Sequence, residues 1–167
     1  GPHRAAELYL ADWLAAEFAN PTLGSSGDDW GQRARALSQY GVEYLSGIDA
    51  AVYNHAFLDK IITEGHSGYW ADRAFLEWEL TGGPGQLLCR ETELFKHVIS
   101  KGEDFLRRNP KSHIRTQVLL SLAQAHETGW SLAHASKDDS YVNADAYRGD
   151  ASRHRERAIF YYERFLQ

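Results

Sequence analysis

Helix breakers divide this chain into segments of about one helix each, and within each segment the apolar residues recur three and four apart. The breakers are Asn20-Pro21, Gly24-Ser25-Ser26-Gly27, Gly47, Gly65, Gly82-Gly83-Pro84-Gly85 and Asn109-Pro110. A residue before proline is pushed out of the α region, and glycine supplies the left-handed conformation that closes a helix. No segment shows the turn-bounded alternation of a half-buried strand. The pattern therefore predicts an all-α fold of about seven helices.

The first helix is expected from Arg4 to Ala19, with Leu10, Trp13 and Leu14 on one face. The second is capped by Asp28 or Asp29, carries Ala34, Leu37, Gly41, Tyr44, Leu45 and Ile48, and closes at Gly47. The third runs from about Asp49 to Glu64 with Tyr53, Phe57, Ile61 and Ile62. Ser67 caps the fourth, which holds Trp70, Ala74, Phe75, Trp78 and Leu80. The fifth spans Leu87 to Arg108, with Phe95, Val98, Gly102, Phe105 and Leu106 in register. The sixth follows Ser112 and carries Val118, Leu119, Leu122, Ala125 and Trp130. After a polar loop, Ser136 to Ser140, the last starts near Asp145 with Tyr147, Ala151, His154, Ala158, Tyr161, Tyr162 and Phe165.

The stretches opened by Ser67 and Ser112 echo one another, each a capping serine after a breaker and before an apolar helix. Pairing helices two with three, four with five and six with seven gives three hairpins, each leaving an apolar face for a neighbour to cover. Phe105-Leu106 before Asn109-Pro110-Lys111-Ser112, then Leu122-Ala123 with His126, and finally Ala158 to Leu166 resemble tetratricopeptide (TPR) repeats of the bacterial envelope type. There an aromatic-Leu pair precedes Pro-x-Ser and a helix carrying a small residue and an aromatic. The likeness covers about residues 94–167 and fades over 67–80. It departs in the insertion from Ala135 to Gly149 and in the first third of the chain, which has no consensus. The resemblance implies a right-handed stack of helical hairpins and a periplasmic or membrane-attached bacterial parent protein.

Chemistry is harder to find. His126-Glu127-Thr128-Gly129-Trp130 begins like a zinc-protease helix, but Trp130 stands where the second ligand belongs. His126 and His134 share a helix face and are the metal candidates, with no third ligand evident. Asp138 to Asp145 has the oxygen ligands calcium takes but neither the spacing nor the glycine of an EF-hand, so a capping loop through Asn143 or Asp145 is the plainer reading. A single cysteine, Cys89, excludes an intrachain disulfide and reads as a small core residue. Nothing points to a catalytic residue or a cofactor.

The net charge of −5 argues against nucleic acid as the main partner. No apolar run reaches the ~20 residues that span a bilayer. Gly1-Pro2 reads as the remnant of a cleaved tag, leaving residues 4–167 as one helical domain, with more chain expected beyond Gln167. Aromatics are abundant: five Trp, nine Tyr and seven Phe. Trp30, Tyr69, Trp70, Trp130 and Tyr141 are the candidates for a contact surface, because Trp and Tyr anchor interfaces. The expected function is a scaffold or module binding a protein or peptide. The alternative is a helical ligand- or metal-binding domain, enzymatic or not, using its histidines and acidic loops.

Overall fold

A computed structural model describes residues 2–18, 29–47, 49–65, 68–80, 91–135 and 144–167. They are mostly helical and form two compact units, one reaching to Trp78 and the other beginning at Glu79. Ser67, the Gly82–Gly85 turn, Cys89 and the loop from Asp138 to Asn143 lie outside the described residues.

In the first unit, α1 (Pro2–Glu17) buries Leu8, Ala11, Leu14 and Ala15, with Phe18 just beyond it. These positions make one helical stripe. It is rotated from the expected face, so Trp13 remains 46% exposed. α2 (Trp30–Leu37) opens as expected on Asp29, whose carboxylate accepts the Gln32 N–H at 2.7 Å.

α2 does not continue to Ile48. A 3-10 turn, Ser38–Tyr40, ends at Gly41 with φ +86°. A Cβ there would lie 2.9 Å from that of Ala56, so both the backbone and the space require glycine. β1 (Val42–Leu45) and β2 (Ala50–Tyr53) then pair antiparallel, Val42 opposite Tyr53 and Leu45 opposite Ala50. Asp49, at φ +47°, helps to close the turn, and the Tyr44 hydroxyl donates to its carboxylate at 2.7 Å.

The described residues are mostly helical, as the all-α expectation has it; the short hairpin is a local departure from that pattern and removes the proposed pairing of helices two and three. Gly41, not Gly47, is the stop. The strands are four residues long, too short for a period of two to stand out. Burial along β2 is also nearly continuous rather than alternating. An isolated hairpin is marginal in water, but Val42, Ala51 and Tyr53 join Leu14, Leu58 and Ile61 in one core. The third helix accordingly starts late, as α3 (Ala56–Gly65). α4 (Tyr69–Phe75) passes into a π-helical turn, Leu76–Leu80.

The second unit holds α5 (Glu91–Arg108), α6 (Arg115–Ala133), the single turn α7 (Asp145–Arg148) and α8 (Ala151–Phe165). Between α5 and α6, Asn109 N–H returns to Phe105 O at 2.8 Å, and the Ser112 hydroxyl accepts the Ile114 N–H at 3.2 Å. That bond closes a local turn ahead of the helix; the N-cap of α6 is Ile114, with no side-chain cap, so the expected capping by Ser112 is not found. Phe95, Val98, Phe105, Ile114, Val118, Leu119, Leu122 and Ala158 are buried. Two glycines set the helix spacing. A Cβ on Gly102 would meet Leu122 Cδ2 at 2.9 Å, and one on Gly129 would meet Phe95 Cε2 at 2.9 Å and His154 Cδ2 at 3.0 Å. Gly149-Asp150 breaks the expected last helix in two. No helix among the described residues is long and apolar enough to cross a membrane.

Candidate functional site

α6 and α8 pack against one another, and each helix carries a partly exposed face at the edge of that contact. On α6 that face holds Glu127 and Trp130, three residues apart. On α8 it holds Arg155, Ala158, Ile159 and Tyr162, one per turn or adjacent. Together these six residues line a pocket of about 170 Å³. Trp130 is 37% exposed and Ile159 46%, while Ala158 is buried.

Polar contacts fix the pocket wall. The Tyr162 hydroxyl donates to the Glu127 carboxylate at 2.6 Å. That bond, then burial, pushes the phenol up to about 12. His134 donates its Nδ1–H to the Trp130 carbonyl at 2.8 Å, and its ring packs on the indole with centroids 5.0 Å apart. His134 therefore supports Trp130 instead of pairing with His126. Arg155 is exposed and forms no ion pair with any described residue.

The inner faces of the same helices carry a polar network. His126, 4% exposed, places Nδ1 2.9 Å from Nδ1 of His154. Its Nε2 is buried with no hydrogen-bond partner among the described residues. The His126 ring stacks on Tyr161, 5.7 Å between centroids at an interplanar angle of 17°. The Tyr161 hydroxyl donates to Glu103 at 2.8 Å, and Arg157 donates to the same carboxylate oxygen at 2.6 Å.

Burial, with His154 second, pushes His126 down to about 4, and burial likewise lowers His154. Burial alone would raise Glu103, but hydrogen bonds from Tyr161 and Arg157 outweigh it and hold the carboxyl below its ordinary value. Among the described residues no group of three or more His, Cys, Asp or Glu is placed to hold a metal ion. The imidazole pair can share one proton. Its geometry is that of a packed interior.

The remaining aromatic candidates fall elsewhere. Trp30 is half-buried in the first unit, edge-on to Phe18 at 6.5 Å, with the Arg33 guanidinium 5.0 Å over its ring. Tyr69, 54% exposed, and half-buried Trp70 meet edge-on at 4.8 Å on α4, also in the first unit. Tyr141 lies outside the described residues. Sequence reasoning missed Ile159 and Arg155, although Arg155, Ile159 and Tyr162 recur at one-turn intervals along α8.

It also missed two polar groupings in the first unit. His55 sits at φ +61°, with its ring 4.0 Å from Trp78 in a stacked arrangement and 4.8 Å from Tyr53. Burial pushes His55 down to about 4 and Tyr53 up to about 12. On α1, burial and then a hydrogen bond with Glu77 push Asp12 up to about 7, while Glu77 also pairs with Arg73 at 2.6 Å. No family model, curated protein or solved structure matches the chain.

Proposed function

We propose that this chain is a protein-interaction module, a TPR-like arrangement of helical hairpins that takes a peptide segment on the outer face of α6 and α8. The observation that carries this reading is the half-open Trp130, standing beside Ile159 and Ala158 in a pocket sized for one or two apolar side chains. A Trp anchored from behind and exposed in front is the residue type that dominates binding energy at interfaces. Two features support the TPR-like part. The Asn109-Pro110-Lys111-Ser112 turn joins α5 to α6, and Gly102 lets those helices approach closely. The acidic balance of the chain favours protein over nucleic acid. An envelope-associated parent remains part of the proposal through the TPR resemblance alone.

His126 turns to His154 and His134 to a backbone carbonyl, which favours this reading over metal chemistry on the two candidates. Selection from a random-peptide library on the whole chain tests it. Binders should emerge whose affinity falls at least about tenfold in Trp130→Ala, the loss expected of an interface anchor. The helical circular dichroism should be unchanged. If no peptide depends on Trp130, the proposal fails.

A further inference from the structure

We infer that the His126–His154 contact is an acid-sensitive latch: a second extra proton on the pair lifts α8 away while α5 and α6 stay packed. The two Nδ1 atoms are 2.9 Å apart, so one carries a proton and the other offers a lone pair. His126 has no second outlet. Its ring is 4% exposed, one face lies on Tyr161, and Nε2 has no hydrogen-bond partner among the described residues. A first extra proton can go to half-buried His154, which then donates to a neutral His126. The next one, on His126, makes both Nδ1 atoms donors and leaves a buried cation whose N–H groups meet no acceptor among the described residues. Water can satisfy them once a wall of the site moves.

The facing charges favour the neutral, closed state. Glu103 on α5 favours a charge on His126, but its carboxylate already accepts from Tyr161 and Arg157. Arg153 and Arg157 on α8 oppose that charge. Asp150, at the start of α8, favours a charge on His154, while Arg153 and Lys96 of α5 oppose it. On α6 itself, Glu127 is turned to Tyr162. From α7 comes the Tyr147 ring, edge-on to Phe95 with the Lys96 ammonium 5.5 Å over it. Burial and then His154 hold His126 down at about 4, so the latch is shut at neutral pH.

α8 is the element that yields because it buries least. It buries Ala158 and Tyr161, whereas α6 buries eight residues, with Val118, Leu119 and Leu122 at 0–1% exposure. Gly102 seats Leu122 closely on α5 in a contact that involves neither imidazole. Lifting α8 also parts the α6–α8 pocket, since Glu127 and Trp130 stand on one wall and Ile159 and Tyr162 on the other. This holds whatever the pocket binds.

Hydrogen exchange by mass spectrometry on the whole chain, at about pH 7 and about pH 4.5 and corrected for intrinsic rates, tests the latch. An imidazole near 6.5 when free and about 4 when closed predicts that protection over residues 151–165 falls about thirtyfold, allowing for water near the ring. Protection over residues 115–125 should fall less than about threefold. In His126→Phe, which keeps the stacking on Tyr161, the loss over α8 should shrink to below about threefold. Should that variant fail to fold, an acid titration of the wild type by NMR decides: the α8 amide signals should move together with the His126 ring protons.

Equal losses over α5, α6 and α8 would show that acid unfolds the whole unit and would overturn the latch. Full protection of α8 at pH 4.5 would overturn it too, as would a loss over α8 undiminished in His126→Phe. In the titration, α8 signals that move while the His126 ring is still neutral would have the same consequence.

Discussion

Replacing His126 with Phe tests whether the buried imidazole pair sets the acid sensitivity of the second unit. The ring is 4% exposed and lies flat on Tyr161, so Phe keeps the stacking and removes the titrating group. The facing charges are His154 and Glu103, with Arg157 and Arg153 beyond. His154 and the two arginines oppose a positive charge on His126, and Glu103 favours it.

In the unfolded chain the imidazole titrates near 6.5, and in the fold at about 4. A histidine with a depressed folded pKa binds fewer protons in the fold. Its contribution is intact above 6.5 and lost as the pH falls towards 4. At 1.36 kcal/mol per pH unit that interval is worth about 3 kcal/mol, and water reaching the charged ring lowers the expected loss to about 2 kcal/mol.

Urea unfolding of both proteins by circular dichroism, at about pH 7 and about pH 4.5, measures the difference. The wild type should lose about 2 kcal/mol more than His126→Phe on acidification. His55, also lowered to about 4, contributes equally to both proteins and cancels. Parallel losses within about 0.5 kcal/mol would refute the claim that His126 is held neutral by its surroundings.

Three further outcomes follow from the packing. Gly129→Ala should lower stability by about 1–3 kcal/mol in a thermal melt despite alanine's helix preference, because the new Cβ meets the Phe95 and His154 rings. Asp12→Asn should stabilise the chain by about 1 kcal/mol at pH 8 and by a little under half of that at pH 5, where the unfolded carboxyl is already ionised, after allowing for solvent screening. The sign follows from the raised folded pKa of about 7: stability present at low pH is lost as Asp12 ionises, and urea titrations at the two pH values read it. Tyr161→Phe should cost about 1 kcal/mol by removing the hydroxyl from Glu103, as calorimetry would show.

The sequence was most readable where a helix has one apolar stripe and a clear stop. Asn109-Pro110 ends α5 near Arg108 and Asp29 caps α2, both from chemistry local to a few residues. The β-hairpin was illegible because Tyr44, Leu45 and Gly41 fall at helical spacing from Ala34 and Leu37 by coincidence. What decides the matter is tertiary: Tyr53 and Val42 find a core only as opposed strand residues. The site was half legible. Trp130 could be named, but whether a Trp on an apolar stripe faces in or out depends on which neighbour arrives. The partner of His126 could not be read at all, since His154 lies on α8 beyond the insertion and the pairing is a product of helix packing.

The adjacent tyrosines of α8 serve two different faces of the helix. Successive residues on an α-helix point about 100° apart. Tyr161 thus turns inward to Glu103 and His126, and Tyr162 turns outward to Glu127 and the pocket. The inner contacts fix where α8 lies on α6, and that position brings Ile159 beside Trp130. That arrangement also separates two kinds of substitution: changes at Arg155 or Ile159 fall on the outer face, whereas a Cβ added at Gly129 meets Phe95 and His154 and acts on the pocket through the helix packing.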